Sequence, residues 1–346
     1  MASKVLIVSS EEDDTHAKVV AWSLRERGHE VIFWDTSKVI QTAGYSVEVS
    51  NDLPLAVQIN LQENFDSAWL RRVFWPRNFS IATDAADKDY ISGENKRYID
   101  NVLDCLSNNG IKWLNDKPAC ISGELKIKQL YACHQLGIRF PNTLISSDAS
   151  KIRNFVAKHG AVAVKPLDVY TWKQDDGSRL MTYTNVITNA QLQNISDEEL
   201  LSCPVIYQEL IDKKLELRVV AVGKEVFACS IKNPNAECID FRFYQTDETL
   251  EYSSFDVPPR LREEMLKLIN FFGLQMASSD FCVDKDGNIF FLDLNPGGAF
   301  LFVEYWGGNR IVASVAALLG GGLPNDYNSL TDYNLMAEEN NRVTGA

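Results

Sequence analysis

The segment 280–298 carries the side chains whose types and spacing most clearly suggest chemistry. It is typical of two strands joined by a turn at Asp286-Gly287. Asp293 and Asn295 are two residues apart and so face one side of their strand, and the hairpin returns that strand beside Asp280. Converging carboxylate and amide oxygens are ligands that Mg²⁺ takes together with water and phosphate oxygens. Two acids beside a hairpin are also common as solvated turn residues.

A second candidate is Lys165, which follows the apolar run 161–164. This run predicts a buried strand that ends at Lys165-Pro166. An ammonium group held at a rigid strand end is suited to binding phosphate. A surface lysine that closes a strand is an equally good interpretation of the same residues.

A third candidate is the stretch 207–218, in which Glu209, Leu210 and Ile211 end one predicted strand and Glu216 begins the next. A linker between strands can expose backbone N–H and C=O groups to the edge of a purine, and a carboxylate such as Glu216 can hold ribose hydroxyls. Taken alone, the stretch is also typical of an ordinary hairpin.

The elements around these residues predict an α/β (α+β) fold. Residues 4–10, 14–28 and 30–35 have the patterns of a strand, a helix and a strand, which is the opening of a parallel sheet. Further helices are predicted at 92–107, 122–137, 147–159, 260–272 and 311–319, and further strands at 71–77, 205–208, 217–222, 225–231, 279–283 and 289–294. For the aromatic segment 300–306 we favour core packing over a substrate pocket or a dimer contact.

Length and composition set the broad class. A chain of 346 residues and 39.0 kDa exceeds what one hydrophobic core usually organises, and we expect domains at 1–118, 119–203 and 204–346. The hydrophobic fraction of 45% and charged fraction of 23% are ordinary for a globular protein. The net charge of −13 disfavours nucleic acid and anionic membranes as partners.

The chain lacks the patterns of export and of membrane insertion. Acidic residues follow the short apolar run near the N-terminus, and no run of about 18 apolar residues occurs. The seven cysteines are scattered without a Cys-x-x-Cys pair, which favours reduced thiols. We therefore expect a cytoplasmic protein without a membrane span.

The order of the candidate segments resembles that of the ATP-grasp superfamily over roughly residues 110–319. The shared pieces are the strand with Lys165, Gln-Glu-Leu-Ile at 208–211, Glu-Leu-Arg-Val-Val at 216–220, Asp280, and Asp-x-Asn-Pro-Gly-Gly at 293–298. The resemblance implies an ATP-grasp fold in which an N-terminal βαβ domain precedes the grasp domains. It also implies that ATP and Mg²⁺ are bound between the central and C-terminal domains.

The resemblance implies roles for particular residues at such a site. Lys165 and Lys126 would hold phosphates, and Lys126 is preferred to Lys128 because it precedes Gly137 by eleven residues, as in related carboxylate-amine ligases. The remaining implied contacts are Glu209, Leu210 and Ile211 with adenine, Glu216 with ribose, Lys232 with the nucleotide, and Asp280, Asp293 and Asn295 with Mg²⁺. Asp293 stands where the family commonly has Glu, and Lys232 where many ligases have Arg.

Within the superfamily the sequence is most similar to the graspetide (microviridin-type) maturases, which macrocyclise a ribosomal precursor peptide. The similar segments are 72–77, 216–228 and Asp240-Phe241-Arg242, which resembles their Asp-x-Arg motif. The resemblance implies catalytic roles for Arg218, Asp240 and Arg242. For Arg242 the expected role is to stabilise an acyl phosphate, since a guanidinium group matches phosphate oxygens in pairs.

The resulting hypothesis is an ATP-dependent ligase that activates an Asp or Glu side chain of a precursor peptide as an acyl phosphate. A Ser or Thr hydroxyl or a Lys amine of the same peptide then forms an ester or amide macrocycle. A polar lid at 168–179, a leader helix on the precursor and a homodimer are further expectations. The alternatives are an amino-acid ligase of the glutathione-synthetase or ribosomal-protein glutamate-ligase type, and an ATP-binding regulatory module without ligase activity.

Overall fold

A computed structural model of the chain describes residues 2–38, 46–48, 51, 56–58, 65–75, 84–107, 110–168, 171–173, 179–182, 184–233 and 250–344. The described strands are β1 (Lys4–Val8), β2 (Glu30–Trp34), β3 (Ser46–Glu48), β4 (Ala56–Gln58), β5 (Ser67–Leu70), β6 (Lys112–Leu114), β7 (Thr143–Ser146), β8 (Ala161–Lys165), β9 (Thr171–Lys173), β10 (Arg179–Met181), β11 (Asn185–Thr188), β12 (Val205–Glu209), β13 (Lys213–Val222), β14 (Glu225–Lys232), β15 (Glu251–Ser254), β16 (Met276–Asp284) and β17 (Ile289–Asn295). The described α-helices are α1 (Thr15–Glu26), α2 (Ala85–Ser107), α3 (Lys117–Glu124), α4 (Lys126–Leu136), α5 (Ala149–His159), α6 (Asn189–Leu192), α7 (Asp197–Leu201), α8 (Pro259–Phe271), α9 (Leu301–Gly307), α10 (Ile311–Gly320) and α11 (Leu330–Thr344).

The N-terminal part forms a four-stranded parallel sheet in the order β2-β1-β5-β6. The expected opening βαβ unit is confirmed, with Asp14 as the N-cap of α1. The strand predicted at 71–77 is wrong in position, because β5 pairs with β1 over 67–70. The backbone N–H groups of Arg71 and Arg72 both donate to the carbonyl oxygen of Val8, which is the last residue of β1. The strand therefore ends where its neighbour ends.

The central part is a four-stranded antiparallel sheet in the order β11-β8-β12-β7, packed on one face by α5, α6 and α7. Val162 and Tyr207 face these helices and are buried. By alternation, Ala163 and Lys165 of β8 and Gln208 of β12 face the opposite side. Of the short antiparallel pair β9 and β10, β9 falls in the segment predicted as a polar lid, and β10 begins at the last residue of that segment. The lid function stays a prediction.

The C-terminal part is a five-stranded antiparallel sheet in the order β15-β14-β13-β16-β17. One face packs against α8 and α4 through Leu217, Val219 and Phe281. The other face has an apolar part and a polar part at successive positions along the strands. Val220 and Met276 pack into the apolar cluster that contains most of α10, whereas the polar residues farther along the same strands remain uncovered by that helix.

The helix predicted at 122–137 is two helices. Leu125 has an extended conformation and separates α3 from α4, and Gly137 closes α4 with a φ of 69°. The break coincides with close packing of α3 on the loop after β17, since a Cβ on Gly123 would lie 2.9 Å from Pro296 Cγ. Periodicity did not reveal the break because the apolar spacing continues through it.

The aromatic segment after β17 contains both core and surface residues. Phe300 is fully buried, as predicted, and packs in the same cluster as α10. Tyr305 and Trp306 are 62% and 49% exposed, so the prediction of core packing is wrong for these two residues. Trp306 stacks on Tyr252 of β15, with ring centroids 5.8 Å apart. The segment therefore contributes Phe300 to the core, whereas Tyr305 and Trp306 lie on the exposed face of α9.

The sequence also predicts reduced cysteines and no membrane-spanning helix. The described cysteines are unpaired, and Cys133, Cys229 and Cys282 are buried while Cys203 is exposed. Cys238 lies outside the described residues. Within the described ranges, no helix combines the length and the apolar character needed to cross a membrane.

A buried ion pair lies in the N-terminal part, and its arginine also contacts the loop after β17. Asp14 Oδ2 lies 3.5 Å from Arg71 Nε, and Arg71 Nη1 donates to Gly297 O. Asp14 also accepts from Ser9 Oγ and from the backbone N–H groups at the start of α1. Burial acts to raise the pKa of Asp14, but the hydrogen bond with His16 and the charge of Arg71 outweigh it and hold that pKa below its ordinary value of 3.8.

Replacing Asp14 with Asn should change how stability depends on pH. Because the pKa of Asp14 is depressed in the folded chain, its carboxylate stabilises the fold above about pH 4, and this contribution is lost as the pH falls. We expect Asp14→Asn to be less stable than the wild type near neutral pH, with the difference shrinking toward about pH 3. Urea unfolding at a series of pH values measures this difference.

Asp148→Asn is the matched control, since Asp148 caps α5 through Lys151 N at an exposed position. Its stability difference from the wild type is expected to be small throughout the pH series. A difference for Asp14→Asn that stays constant with pH would contradict the depressed pKa of Asp14.

Candidate functional site

A cleft of about 1100 Å³ lies between the central sheet and the C-terminal sheet. Its walls are the helix-free face of the central sheet and the part of the C-terminal sheet that α10 leaves uncovered. Nine residues singled out from the sequence line it. They are Lys126, Lys165, Glu209, Leu210, Ile211, Glu216, Asp280, Asp293 and Asn295.

The carboxylates on the C-terminal wall are brought together by strand register. Asp280 of β16 pairs directly with Asp293 of β17, and Asn295 lies two residues farther along β17. A β-bulge places Leu292 as an extra residue between Phe291 and Asp293. Without it, Phe291 and Asp293 would face the same side. The bulge lets Phe291 enter the core while Asp293 faces the cleft.

Each carboxylate is in contact with a cation from another element. Arg218 of β13 holds Asp280 in a bidentate pair, with Nε 2.6 Å from Oδ1 and Nη2 3.3 Å from Oδ2. Lys126, the first residue of α4, contacts Asp293 Oδ1. These contacts offset the repulsion between the two neighbouring acids.

Lys165 comes from the central wall. Its Nζ donates to Gln208 Oε1 at 2.6 Å, and Gln208 Nε2 donates to Thr143 Oγ1 at 3.0 Å, which fixes the orientation of the amide. Burial lowers the pKa of Lys165, while the charges of Asp293 and Glu216 oppose that shift. An ammonium group from one sheet therefore lies in the field of the carboxylates of the other.

The segment between β12 and β13 crosses from one sheet to the other, so the hairpin interpretation of 207–218 is wrong. Glu209 accepts from Asn142 Nδ2 at 2.6 Å, which ties the start of the crossing to the residue before β7. Leu210 is exposed at the cleft. Glu216 is in contact with Lys213 Nζ at the other end of the crossing.

The acidic residues have the chemistry of a magnesium site. Two carboxylates and one amide oxygen are hard donors, and both carboxylates already interact with cationic groups. In the described part of the chain, no group of three or more His, Cys, Asp or Glu side chains is arranged to hold a metal ion. Asp280, Asp293 and Asn295 therefore fit Mg²⁺ that takes its remaining ligands from water or phosphate.

The structure does not bring every predicted residue to the cleft. Arg218 is buried behind Asp280 and packs over Phe302, and it is not among the lining residues. Lys232 is exposed and pairs with Glu251, on the face of β14 opposite to the residue that pairs with Glu216. The catalytic role expected of Arg218 and the nucleotide contact expected of Lys232 stay predictions, and neither residue lines the cleft.

The two remaining predicted catalytic residues, Asp240 and Arg242, lie outside the described residues. Their roles stay predictions.

Sequence reasoning missed several residues at the cleft. Gln208 lies in the motif at 208–211 but was given no role, which strand alternation could have supplied, because it shares a face with the position that pairs with Lys165. Cys282 lines the cleft, and burial raises the pKa of its thiol to about 12. Gln129 of α4 also lines the cleft, and its helical pattern gave no indication of this.

Comparison with known proteins places the fold. No protein-family model and no curated protein sequence matches the chain. Among solved structures, it is similar to the macrocyclase MdnC from Microcystis aeruginosa MRC bound with the precursor peptide MdnA. The TM-score is 0.77 at 22% sequence identity, covering 91% of this chain and 99% of that one.

Two further structures are similar over nearly the whole chain. One is a RiPP-associated ATP-grasp ligase from Chryseobacterium gregarium in complex with ADP and a leader and core peptide, with a TM-score of 0.79, 22% identity and coverage of 95% and 99%. The other is the ATP-grasp ligase PsnB complexed with minimal precursor, Mg and ADP, with a TM-score of 0.71, 22% identity and coverage of 91% and 96%. The chain therefore has the fold of the ATP-grasp ligases, as the sequence predicted.

Proposed function

We propose that this protein is an ATP-dependent ligase that macrocyclises a peptide through its carboxylate side chains. The observation that carries the proposal is the cleft between the two sheets, where Lys126 contacts Asp293 and Lys165 lies in the field of Asp293 and Glu216, with Asp280 on the same wall. The fold is shared with MdnC, which is a macrocyclase bound with a precursor peptide, and with PsnB, complexed with minimal precursor, Mg and ADP.

In the proposed complex the nucleotide lies between the two sheets. Lys165 and Lys126 bind its phosphates, and Glu216 and the crossing segment at 209–211 bind the nucleoside. Asp280, Asp293 and Asn295 hold Mg²⁺, which when bound supplies neutralisation of phosphate charge. Arg218 orients Asp280 through its bidentate contact.

The proposed reaction has two steps. An Asp or Glu carboxylate of the peptide attacks the γ-phosphorus of ATP, forming an acyl phosphate and releasing ADP. A Ser or Thr hydroxyl or a Lys amine then attacks the acyl carbon, phosphate leaves, and an ester or amide closes the ring. The hydroxyl or amine proton is released, so the peptide loses the elements of one water per ring. The lysines stabilise the negative charge on the transferring phosphoryl group.

The proposal includes a partner and a cellular setting. The peptide carries a leader segment and a core with Asp or Glu and Ser, Thr or Lys, and the acidic protein suits a leader that carries Lys or Arg. We also propose a homodimer in the cytoplasm, where ATP is plentiful and free thiols persist.

The direct test is incubation of the purified protein with Mg-ATP and a candidate precursor peptide encoded beside it. Mass spectrometry of the peptide and an assay for ADP are read together. Loss of water in integer steps with ADP formation supports macrocyclisation. A gain of one amino-acid mass indicates an amino-acid ligase, and an unchanged peptide without ADP leaves the ATP-binding module.

Asp293→Ala should abolish most of the activity, because it removes one carboxylate of the proposed magnesium site. We expect ADP formation with the peptide to fall at least about 100-fold, which corresponds to roughly 2.7 kcal/mol of transition-state stabilisation. Asp286→Ala is the control, since Asp286 is exposed in the turn of the same hairpin. Equal activities of the two variants would remove Asp293 from the proposed site.

Lys165→Met should weaken nucleotide binding. Loss of a hydrogen bond between a charged lysine and phosphate costs roughly 1.5–3 kcal/mol, and we expect the Kd for ADP to rise about 10- to 100-fold. Titration calorimetry measures the Kd, with Lys158→Met at an exposed position on α5 as the control. An unchanged Kd for Lys165→Met would exclude the proposed phosphate contact.

A further inference from the structure

The side chain of Gln129 makes three hydrogen bonds in the wall of the cleft. Its Oε1 accepts from Leu294 N at 3.1 Å, and its Nε2 donates to Leu294 O at 2.8 Å and to Gly123 O at 2.7 Å. The residue is 1% exposed. Its amide hydrogen atoms and its carbonyl oxygen are thus all engaged, and the side chain has one orientation.

These bonds serve the outer edge of the C-terminal sheet. Among the described strands, β17 pairs only with β16, so alternate backbone groups of β17 point away from the sheet. At one such position the N–H of Phe291 donates to Arg139 O. At the next, the carboxamide of Gln129 bonds both the N–H and the C=O of Leu294. The amide therefore acts as a one-residue substitute for a neighbouring strand.

Leu294 lies between Asp293 and Asn295, two of the three residues that fit Mg²⁺. Gln129 lies one helical turn after Lys126, so both side chains project from the same face of α4. Lys126 contacts Asp293, and Gln129 holds the next backbone unit. The helix that offers a lysine to the cleft thus also fixes the strand that offers its oxygen ligands.

We propose that Gln129 is a positioning residue that sets the direction of Asp293 and Asn295 toward Mg²⁺. This inference rests on the proposed nucleotide site. Groups that hold the ligands of a metal typically change its affinity 10- to 100-fold when they are removed, because a small rotation of the ligands spoils octahedral coordination. Burial of Leu294 and Phe291 fixes the depth of β17, and Gln129 fixes its rotation and its register against α4.

A purely structural role for Gln129 makes a different prediction. If the three bonds only stabilised the fold, their loss would lower the melting temperature and weaken nucleotide binding alike with and without Mg²⁺. A positioning role instead affects the part of nucleotide affinity that Mg²⁺ contributes. The ratio of the nucleotide affinity with Mg²⁺ to the nucleotide affinity without Mg²⁺ therefore distinguishes the two roles.

The experiment measures the Kd for ADP by titration calorimetry, once with Mg²⁺ and once with EDTA. It compares the wild type with Gln129→Met and Gln129→Glu, which have side chains of similar length and lack the N–H groups that reach Leu294 O and Gly123 O. Leu268→Ala is the control, because Leu268 is fully buried in the apolar cluster that packs on the same sheet. Melting temperatures are recorded for each protein.

The expected result is a gain in wild-type ADP affinity with Mg²⁺ that falls by about tenfold or more in both Gln129 variants. Their Kd in EDTA should stay close to that of the wild type, and Leu268→Ala should keep the gain despite a lower melting temperature. If a folded Gln129 variant keeps the wild-type gain in ADP affinity with Mg²⁺, the inference about Gln129 is wrong, and the proposed nucleotide site is unaffected. An equal loss in Leu268→Ala also overturns it, whereas a wild type without any gain overturns the proposed site as well.

Discussion

Two carboxylates that face each other across neighbouring strands are the constraint on which the cleft depends. Asp280 and Asp293 are direct partners, and such pairs have Cβ atoms roughly 4.5–5.5 Å apart. Two unit charges at about 5 Å repel by about 3 kcal/mol at an effective dielectric constant near 20. The sheet tolerates them because Arg218 contacts Asp280, Lys126 contacts Asp293, and Lys165 lies in the field of Asp293. Each cation belongs to a different element, so the electrostatics hold three parts of the chain at one place.

The cleft exists because one sheet face is only partly covered. Helix α10 is apolar on all sides and is buried between the N-terminal sheet and the C-terminal sheet. It covers Val220 and Met276, whereas Glu216 and Asp280 on the same face of the sheet line the cleft. These acids face the central sheet, whose own helix-free side carries Lys165. Two half-covered sheets thus supply charges of opposite sign to one space.

The loop after β17 is held from both sides. From the N-terminal part, Arg71 just after β5 donates to Gly297 O, and His16 Nε2 of α1 accepts from Phe300 N. From the C-terminal sheet, Arg218 Nη1 and Ser278 Oγ both donate to Ala299 O at 3.3 Å. His16 must be neutral at Nε2 to accept this bond, and burial lowers its pKa, which favours that form. The N-terminal part therefore contributes to the site by fixing the loop that follows Asn295, although Arg71 and His16 do not line the cleft.

The sequence by itself determined the local features of this protein. The apolar run at 161–164 predicted β8, the Asp286-Gly287 turn predicted the hairpin of β16 and β17, and the order of motifs predicted the ATP-grasp fold. Tertiary structure alone decided which residues meet. The bulge at Leu292, the break at Leu125 and the three bonds of Gln129 depend on packing between segments about 165 residues apart, as the Gln129–Leu294 pair illustrates. That Lys232 lies on the opposite face of the sheet from Glu216 follows only from the register of β13 and β14. Local patterns record the conformation of a chain segment, whereas the direction of a side chain into a shared cleft follows from register and packing, which are set by contacts distant in sequence.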